Sequence, residues 1–320
     1  MDSFAIGADL GGSHLSIGLV DQHGRILDYQ EIKIDNLASP EITLDILAGN
    51  ASRMKEKHEN VKALGIGLPG NHDSVKGICR FSPNFPQWHH VEVAPYLSRV
   101  LKMPVYMLND VRVATLGELY FGAGKGVKNL VMLAIGTGVG GGVVINGSLV
   151  IGNEEAAGEI GHMTIDLNGP LCNCGNYGCL EAFASGPSIA AHAAEAIIRK
   201  QSVKLREKVK SLEEISAKII AEAAGEGDSA AFRILEQAGR AIGTAVANLA
   251  VTLNPERFII GGGVAQAGEP LFSGIRKELE KRLKIIQPES ISVLPAALGV
   301  KAGLVGAAAY AFLKSEVTIL

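Results

Sequence analysis

The sequence predicts an α/β protein of two similar domains. At 320 residues, the chain is about twice the common domain length of ~150 residues. A glycine-rich hairpin occurs twice, first over 4–21 and again over 130–145, and strand and helix patterns alternate after each copy. This repeat predicts two α/β domains that face each other across a cleft.

The first half reads as apolar strands with helices between them. We predict strands at 4–10, 15–21, 25–29, 63–66 and 105–108, and helical patterns at 42–58 and 111–120. Asn109-Asp110 directly follows the last of these strands. The pair therefore lies at the carboxyl end of a strand, where open α/β sheets bind their ligands.

The second half begins with the second hairpin, whose predicted turn is the glycine run at 136–142. We predict strands at 130–135, 143–145, 148–151 and 257–260, and helices at 231–253 and 301–313. Pro255 follows the long helix, which it cannot continue. We expect a small domain at 1–112, completed by the C-terminal helix within 301–320, and a large domain at 113–300.

Composition narrows the classes of function. Hydrophobic residues make up 47% of the chain and charged residues 20%, which excludes a disordered protein. The net charge of -3 lacks the basic excess of a nucleic-acid binder, so a small-molecule partner is expected. No basic segment precedes an apolar run at the N-terminus, and the apolar run at 302–313 is shorter than the ~20 residues that cross a bilayer. We therefore expect a cytoplasmic protein without a membrane partner.

Four residues form the strongest local signal in the sequence: His162, Cys172, Cys174 and Cys179. Three thiolates and an imidazole at short spacing match a tetrahedral zinc site. Because all four positions are filled by protein, the predicted zinc is structural. The alternative is a set of small buried hydrophobes, which the surrounding loop glycines disfavour. Cys79 needs no role beyond core packing.

Three glycine loops are candidates for phosphate binding. They comprise Gly11, Gly12 and Ser13; Gly136, Thr137 and Gly138; and Gly261, Gly262 and Gly263. Each offers backbone N–H groups without a Cβ in the way. One loop alone reads better as a tight turn, whereas three together favour a polyphosphate. Asp9, beside the first loop, could hold Mg²⁺ through water or cap the turn.

Six segments occur together, in this order: Asp9-Leu10-Gly11-Gly12, Asn109-Asp110, the glycine run 136–142, Glu159-Ile160-Gly161-His162, the cysteine segment 172–181, and Leu253-Asn254-Pro255-Glu256 with Gly261-Gly262-Gly263. Together they closely resemble the ROK family of sugar kinases and sugar-responsive repressors. The resemblance covers nearly the whole chain. It implies an actin-like and hexokinase-like (ribonuclease H-like) fold with a central cleft, bound ATP and Mg²⁺, structural zinc, and a homodimer.

The resemblance also assigns roles. Asp110 is implied as the general base that deprotonates the 6-hydroxyl of a sugar, a role that suits a carboxylate in phosphoryl transfer; its alternative is a helix N-cap. The implied sugar-binding residues are Gly70, Asn84, Asn109, Asp110, Glu159, His162 and Glu181. Without the resemblance, Glu159 and Glu181 would read as surface charges.

The identity of the sugar rests on one stretch. Asn84-Phe85-Pro86-Gln87-Trp88 resembles the N-x-P-x-W stretch typical of the glucose-phosphorylating members of the family, so glucose is the expected substrate. N-acetylglucosamine, N-acetylmannosamine, fructose and allose remain alternatives, as does a sugar sensor without catalysis. The chain departs from the family at His14, after the first loop, and at Arg112, where many members have asparagine. Only about three residues precede the first strand, so we expect no DNA-binding helix-turn-helix.

Overall fold

The structure, a computed structural model, describes residues 3–320. Its internal contacts divide the chain into two compact units. Unit 1 comprises the residues up to Val127, together with Ser148–Ala157 and Ala297–Leu320. Unit 2 comprises Lys128–Gly147 and Gly158–Ala296. Relative to the predicted domains, unit 1 also includes 113–127, 148–157 and 297–300.

The strands are, in chain order, β1 (Phe4–Leu10), β2 (His14–Asp21), β3 (Ile26–Lys33), β4 (Val61–Leu68), β5 (Asn71–Asp73), β6 (Ile78–Phe81), β7 (His89–Glu92), β8 (Val105–Asn109), β9 (Leu130–Ile135), β10 (Val139–Ile145), β11 (Ser148–Leu149), β12 (Arg257–Gly261) and β13 (Ser292–Pro295). The α-helices are α1 (Pro40–Lys57), α2 (Val93–Leu101), α3 (Asp110–Phe121), α4 (Glu181–Ala184), α5 (Gly186–Ile198), α6 (Val203–Glu207), α7 (Ala217–Gly225), α8 (Ser229–Leu253), α9 (Glu269–Arg282) and α10 (Ala302–Lys314). Single 3₁₀ turns occur at Ile160–His162, Leu212–Glu214, Gly263–Ala267, Pro288–Ser290 and Gly299–Lys301.

The main sheet of unit 1 has the strand order β3-β2-β1-β4-β8. β1 and β2 form the predicted antiparallel hairpin, and β1, β4 and β8 run parallel to one another. The carboxyl ends of these three strands therefore lie along one edge of the sheet. A separate three-stranded sheet, β5-β6-β7, follows β4 in the chain.

Helices cover both faces of this sheet. Ile6 and Ile66 point toward a core that includes Leu47 of α1 and Leu97 of α2. The residues that alternate with these along β1 and β4 face α10 on the other side of the sheet. The helix comes so close that a Cβ added to Gly65 would lie 1.8 Å from the carbonyl oxygen of Ala307. Glycine is the residue that permits this contact between the sheet and the helix backbone.

The C-terminal helix also packs against α3. A Cβ added to Gly306 would lie 1.7 Å from the carbonyl oxygen of Val113, so the backbones of α10 and α3 touch. α3 therefore belongs to unit 1 together with α10, whereas the predicted small domain ends at residue 112. Within residues 3–320, no helix combines the length and the apolar character needed to cross a membrane.

Unit 2 repeats the strand arrangement of unit 1. Four neighbouring strands of its five-stranded sheet follow the order β10-β9-β12-β13, with an antiparallel hairpin followed by parallel neighbours. The predicted long helix is present as α8, and Ile242 and Val246 on its apolar face are buried. The duplicated α/β fold is therefore confirmed.

The second hairpin corrects one sequence expectation. The turn comprises only Gly136–Gly138, because the glycines at 140–142 belong to strand β10. A Cβ added to Gly141 would lie 2.5 Å from the carbonyl oxygen of Gly158. These strand glycines therefore make room for the following loop, and only the first part of the run forms a turn.

Candidate active site

Two acidic residues lie at the carboxyl edge of the sheet in unit 1. Asp9 of β1 pairs with Gly67 of β4, and Asn109, which precedes Asp110, pairs with Leu68. A Cβ on Gly67 would lie 3.5 Å from both Asp9 Oδ1 and Asp110 Cα. The same Cβ would lie only 2.5 Å from Cγ2 of Val113, so glycine lets α3 pack against β4 beside both acidic residues.

The environment of Asp9 disfavours its charged form. Burial, and secondarily the negative charge of Asp110, raise the pKa of Asp9 to about 7. Its carboxylate lies against α10, where a Cβ on Gly303 would be 2.1 Å from Asp9 Oδ2. A carboxylate in this setting gains from a cation, which would offset both the burial and the repulsion.

The start of α3 presents Asp110. The N-cap is Asn109, whose Oδ1 accepts hydrogen bonds from the backbone N–H groups of Val111 (3.0 Å) and Arg112 (3.3 Å). The alternative prediction, that Asp110 is itself the N-cap, is wrong: Asp110 is the first residue of the helix. Its half-buried carboxylate accepts from the Val111 N–H at 2.9 Å. The positive end of the helix dipole favours the charged carboxylate here.

The first glycine loop closes the β1–β2 hairpin. The Gly11 N–H donates to the carbonyl oxygen of His14 at 2.9 Å. A Cβ on Gly12 would lie 3.0 Å from Asn84 Nδ2, so the glycine brings the Asn84 amide beside the loop. Ser13 and His14 are exposed, and the Ser13 hydroxyl lies 2.8 Å from His14 Nδ1.

Gly70 and Asn84, two of the predicted sugar-binding residues of unit 1, are fixed by their local surroundings. Gly70 has φ +113, and a Cβ there would lie 2.2 Å from the carbonyl oxygen of Phe81, so only glycine fits. Phe85 and Trp88 are fully buried with ring centroids 4.9 Å apart. Trp88 therefore packs the loop that carries exposed Asn84.

In unit 2, Glu181 lies between the second glycine loop and the cysteines. Its Oε2 accepts a hydrogen bond from the Val139 N–H at 2.9 Å, and a Cβ on Gly138 would lie 2.7 Å from the same oxygen. The Cys172 thiol donates to Oε1 at 3.8 Å. Glu181 is thus half-buried, with one oxygen toward the loop and the other toward the cysteines.

The predicted metal ligands come together in unit 2. One ligand atom from each of His162, Cys172, Cys174 and Cys179 lies within 4.8 Å of every other. The Cys174 and Cys179 sulfurs are 3.7 Å apart, and ligands bound about 2.3 Å from a tetrahedral centre lie about 3.8 Å apart. His162 Nδ1 lies 3.9 Å from the Cys172 sulfur. The donor set therefore fits a tetrahedral cation.

The cysteines differ in acidity. Burial raises the pKa of Cys172, and burial together with the neighbouring thiols raises the pKa of Cys179 to about 12, whereas the backbone N–H of Asn176 lowers that of exposed Cys174. Metal ligation requires thiolates, so a bound cation would displace these protons. Cys79, by contrast, is fully buried in the unit 1 core, as predicted.

Most of the remaining predicted residues of unit 2 are accessible, whereas Gly261 is buried. Thr137 and Glu159 are exposed, and Glu159 precedes the 3₁₀ turn that ends at His162. Gly261 ends β12, and Gly262 (φ +82) leads into the next 3₁₀ turn. The structure therefore places Gly70, Asn84, Asn109 and Asp110 in unit 1, and Glu159, His162 and Glu181 in unit 2.

Comparison with known proteins decides the family. The ROK family model matches residues 5–313 of the chain. The chain belongs to the ROK family. The glucokinase of Thermotoga maritima is 39% identical over 308 residues, which cover 95% of each chain. A crystal structure of a ROK family glucokinase from Streptomyces griseus in complex with glucose and AMPPNP has a TM-score of 0.80 and 35% identity, and the match covers 96% of this chain and 98% of that chain.

The ROK family also includes transcriptional regulators. The xylose repressor of Bacillus spizizenii is 31% identical over 307 residues, which cover 95% of this chain and 75% of the repressor. The resemblance inferred from the motifs, and the fold that it implied, are thus confirmed.

Of the two departures from the ROK pattern, Arg112 is buried and donates from Nη2 to the carbonyl oxygen of Ala157 at 3.0 Å.

Proposed function

We propose that this protein is an ATP-dependent kinase that converts glucose to glucose 6-phosphate. The observation that carries the proposal is the full-length similarity to ROK glucokinases, including one with glucose and AMPPNP bound, together with Asp110 presented at the end of β8. A general base at a strand end, beside an acidic residue suited to a cation, is what in-line phosphoryl transfer requires.

Asp110 acts as the general base in this proposal. It accepts the proton of the 6-hydroxyl while that oxygen bonds to the γ-phosphorus. The bond from the γ-phosphorus to the β–γ bridging oxygen breaks, and ADP leaves with that electron pair. Asn109 fixes the start of α3 through its Oδ1, so the Asp110 carboxylate is held ready to act.

Six residues besides Asp110 are proposed to contact the sugar: Gly70, Asn84, Asn109, Glu159, His162 and Glu181. Because Asn109 Oδ1 accepts two backbone hydrogen bonds, its Nδ2 is the group offered to a sugar hydroxyl. Carboxylates such as Glu159 accept from hydroxyl groups, so the set discriminates sugars by the positions of their hydroxyls.

The ATP phosphates are proposed to bind the glycine loops. The residues proposed for this role are Gly11, Gly12, Ser13, Gly136, Thr137, Gly138, Gly261, Gly262 and Gly263. Asp9 would hold Mg²⁺ through water, a role that fits its raised pKa because a cation compensates a buried carboxylate. When bound, Mg²⁺ neutralises charge that develops on the transferred phosphoryl group.

Zinc is the proposed occupant of the Cys₃His cluster, because three sulfur donors and one imidazole in tetrahedral spacing favour Zn²⁺ over harder cations. With Nδ1 of His162 toward the cysteines, its Nε2 is available for the sugar. The metal would thereby hold His162 and, through Cys179, the chain segment that leads to Glu181 two residues later. Its role would be structural.

The cellular setting is proposed from chemistry and resemblance. Four free thiols and ATP as phosphoryl donor suit the reducing, nucleotide-rich cytoplasm. A homodimer is proposed from the family resemblance, and light scattering of the purified protein tests it: a mass near twice 33.5 kDa is expected, whereas a monomer contradicts it.

A sugar sensor without catalysis is the second candidate, favoured by the similarity to the xylose repressor. A kinase for another hexose is an alternative within the first candidate function, the sugar kinase. One assay separates these functions: ADP release with Mg-ATP on glucose, N-acetylglucosamine, N-acetylmannosamine, mannose, fructose and allose. The highest kcat/KM is expected for glucose. A higher kcat/KM for another sugar would refute the glucose assignment. Sugar binding without ADP release would establish the sensor.

A further inference from the structure

A buried histidine lies beside the proposed sugar site. His72 belongs to β5, two residues after Gly70, and is only 2% exposed. Its Nε2 lies 2.7 Å from the carbonyl oxygen of Leu68. Because a carbonyl oxygen can only accept, Nε2 carries the proton and donates it. The imidazole therefore bridges the two sides of the turn that contains Gly70.

This turn connects two parts of the proposed site. At one end, Leu68 is the last residue of β4 and pairs with Asn109, the residue before Asp110. At the other end, Gly70 adopts the positive φ that places its backbone against Phe81. A hydrogen bond that fixes the turn therefore acts on Gly70 and on the strand end that carries Asn109.

Core packing alone does not account for an imidazole here. His72 Nδ1 is buried, and no protein group in residues 3–320 donates a hydrogen bond to it. An apolar side chain of similar size would fill the space without an unpaired nitrogen. The backbone of β5 is already held from β6, because Arg80 Nη1 donates to the His72 carbonyl oxygen at 2.9 Å. What the ring adds is the bond to Leu68.

Burial keeps this ring neutral, and two charged neighbours add to the effect. Arg112 of α3 and Arg80 of β6 face it, and Arg80 also pairs with Asp73 of β5. Burial, reinforced by the two arginine charges, lowers the pKa of His72 to about 4. Near neutral pH the ring thus has a single proton, the one donated to Leu68. Arg112, a departure from the family pattern, supports this state.

We propose that His72 is a positioning residue for the sugar: its Nε2–H holds the Leu68 carbonyl group and thereby orients Gly70 and Asn109 toward the sugar hydroxyls. The inference rests on the proposed function. It predicts that loss of the bond weakens glucose binding and leaves ATP binding almost unchanged, a split that a general loss of stability would not produce.

The test compares two substitutions with a matched control. His72→Leu removes the donor, His72→Gln places an amide donor near the position of Nε2, and His192→Leu changes an exposed histidine on α5. Glucose affinity is measured from the fluorescence of Trp88, the single tryptophan, and the KM values for glucose and ATP from ADP release. Wild-type turnover is measured first, so that an inactive wild type refutes the proposed function separately.

The expected result is a glucose affinity about tenfold weaker for His72→Leu, the size of one lost hydrogen bond. The KM for ATP should change less than about threefold, and His72→Gln and His192→Leu should stay close to wild type. Unchanged glucose affinity in His72→Leu, a parallel rise of both KM values, or failure of His72→Gln to restore binding would overturn the proposal.

A measurement on the wild-type protein does not depend on any variant folding. Long-range ¹H–¹⁵N spectra of the imidazole report which nitrogen carries the proton. A neutral ring protonated at Nε2 is expected across about pH 6–8. A neutral ring protonated only at Nδ1 would have no donor for Leu68 and would overturn the proposal even if the enzyme phosphorylates glucose.

Discussion

Replacement of Gly303 by alanine tests the placement of Asp9 without touching the carboxylate itself. A Cβ at this position would lie 2.1 Å from Asp9 Oδ2 and 2.4 Å from its Cγ, whereas real Cβ contacts are essentially never shorter than 3.0 Å. The Asp9 carboxylate or α10 must therefore move by about 1 Å. We expect Gly303→Ala to displace the group proposed to hold Mg²⁺.

A displacement of about 1 Å at a catalytic group costs on the order of 100-fold in rate, or about 2.7 kcal/mol of activation free energy. We therefore expect kcat to fall about 100-fold, while glucose binding followed by Trp88 fluorescence changes less than about threefold. Gly49→Ala is the matched control. Gly49 lies on α1, and a Cβ there would meet no atom within 4 Å. Activity should therefore stay unchanged, and the free energy of unfolding should rise by up to about 1 kcal/mol.

A double-mutant cycle shows whether the effect passes through Asp9. Once Asp9 is replaced by alanine, Gly303→Ala should lower kcat by less than about twofold more, because the clashing carboxylate is gone. The activity assay is ADP release at saturating glucose with varied Mg²⁺. A folded Gly303→Ala protein with wild-type kcat would refute this reasoning, and so would additive effects of the two substitutions.

Three further predictions concern the proposed base, the metal and pH. Asp110→Asn should lower kcat by about 10³-fold with glucose affinity retained; a variant that still turns over at the wild-type rate would show that another group is the base. Cys174→Ser should abolish bound zinc, measured by atomic absorption, and weaken glucose binding about tenfold by releasing His162 and Glu181; full activity of the metal-free protein would exclude the structural role. Because the pKa of Asp9 is raised to about 7 from its ordinary value of 3.8, the native state holds its proton over a pH window in which the unfolded chain has lost it. The unfolding free energy of the ligand-free protein should therefore fall as pH rises across that window, and it should fall less in Asp9→Asn. Denaturant unfolding at several pH values measures this, and an equal fall of the unfolding free energy in both proteins would contradict the prediction.

Features that depend on local sequence were predictable. The paired hairpins follow from apolar strands that meet at a glycine turn, and both are present. The candidate metal site was predictable because its four residues lie within 162–179 and carry donors suited to one cation. Asn109-Asp110 was placed at a strand end because an apolar strand precedes it directly, and the structure adds that Asn109 caps the helix.

Features that depend on contacts between distant segments were not predictable. The small sheet of β5, β6 and β7 consists of short strands, and β7 (His89–Glu92) is largely polar, so it has no apolar alternation to detect. Gly303 looks like any helical glycine until the fold brings it against Asp9. A lone histidine after Gly70 gives no sign that its ring will reach back to Leu68.

The most direct test of the central claim is detection of the product. Purified wild-type protein and Asp110→Asn are incubated with Mg-ATP and glucose, and glucose 6-phosphate is followed by coupling to glucose-6-phosphate dehydrogenase. The account predicts steady formation of glucose 6-phosphate by the wild type and loss of about 10³-fold in rate in the variant. Absence of glucose 6-phosphate with wild-type protein that binds glucose would contradict it.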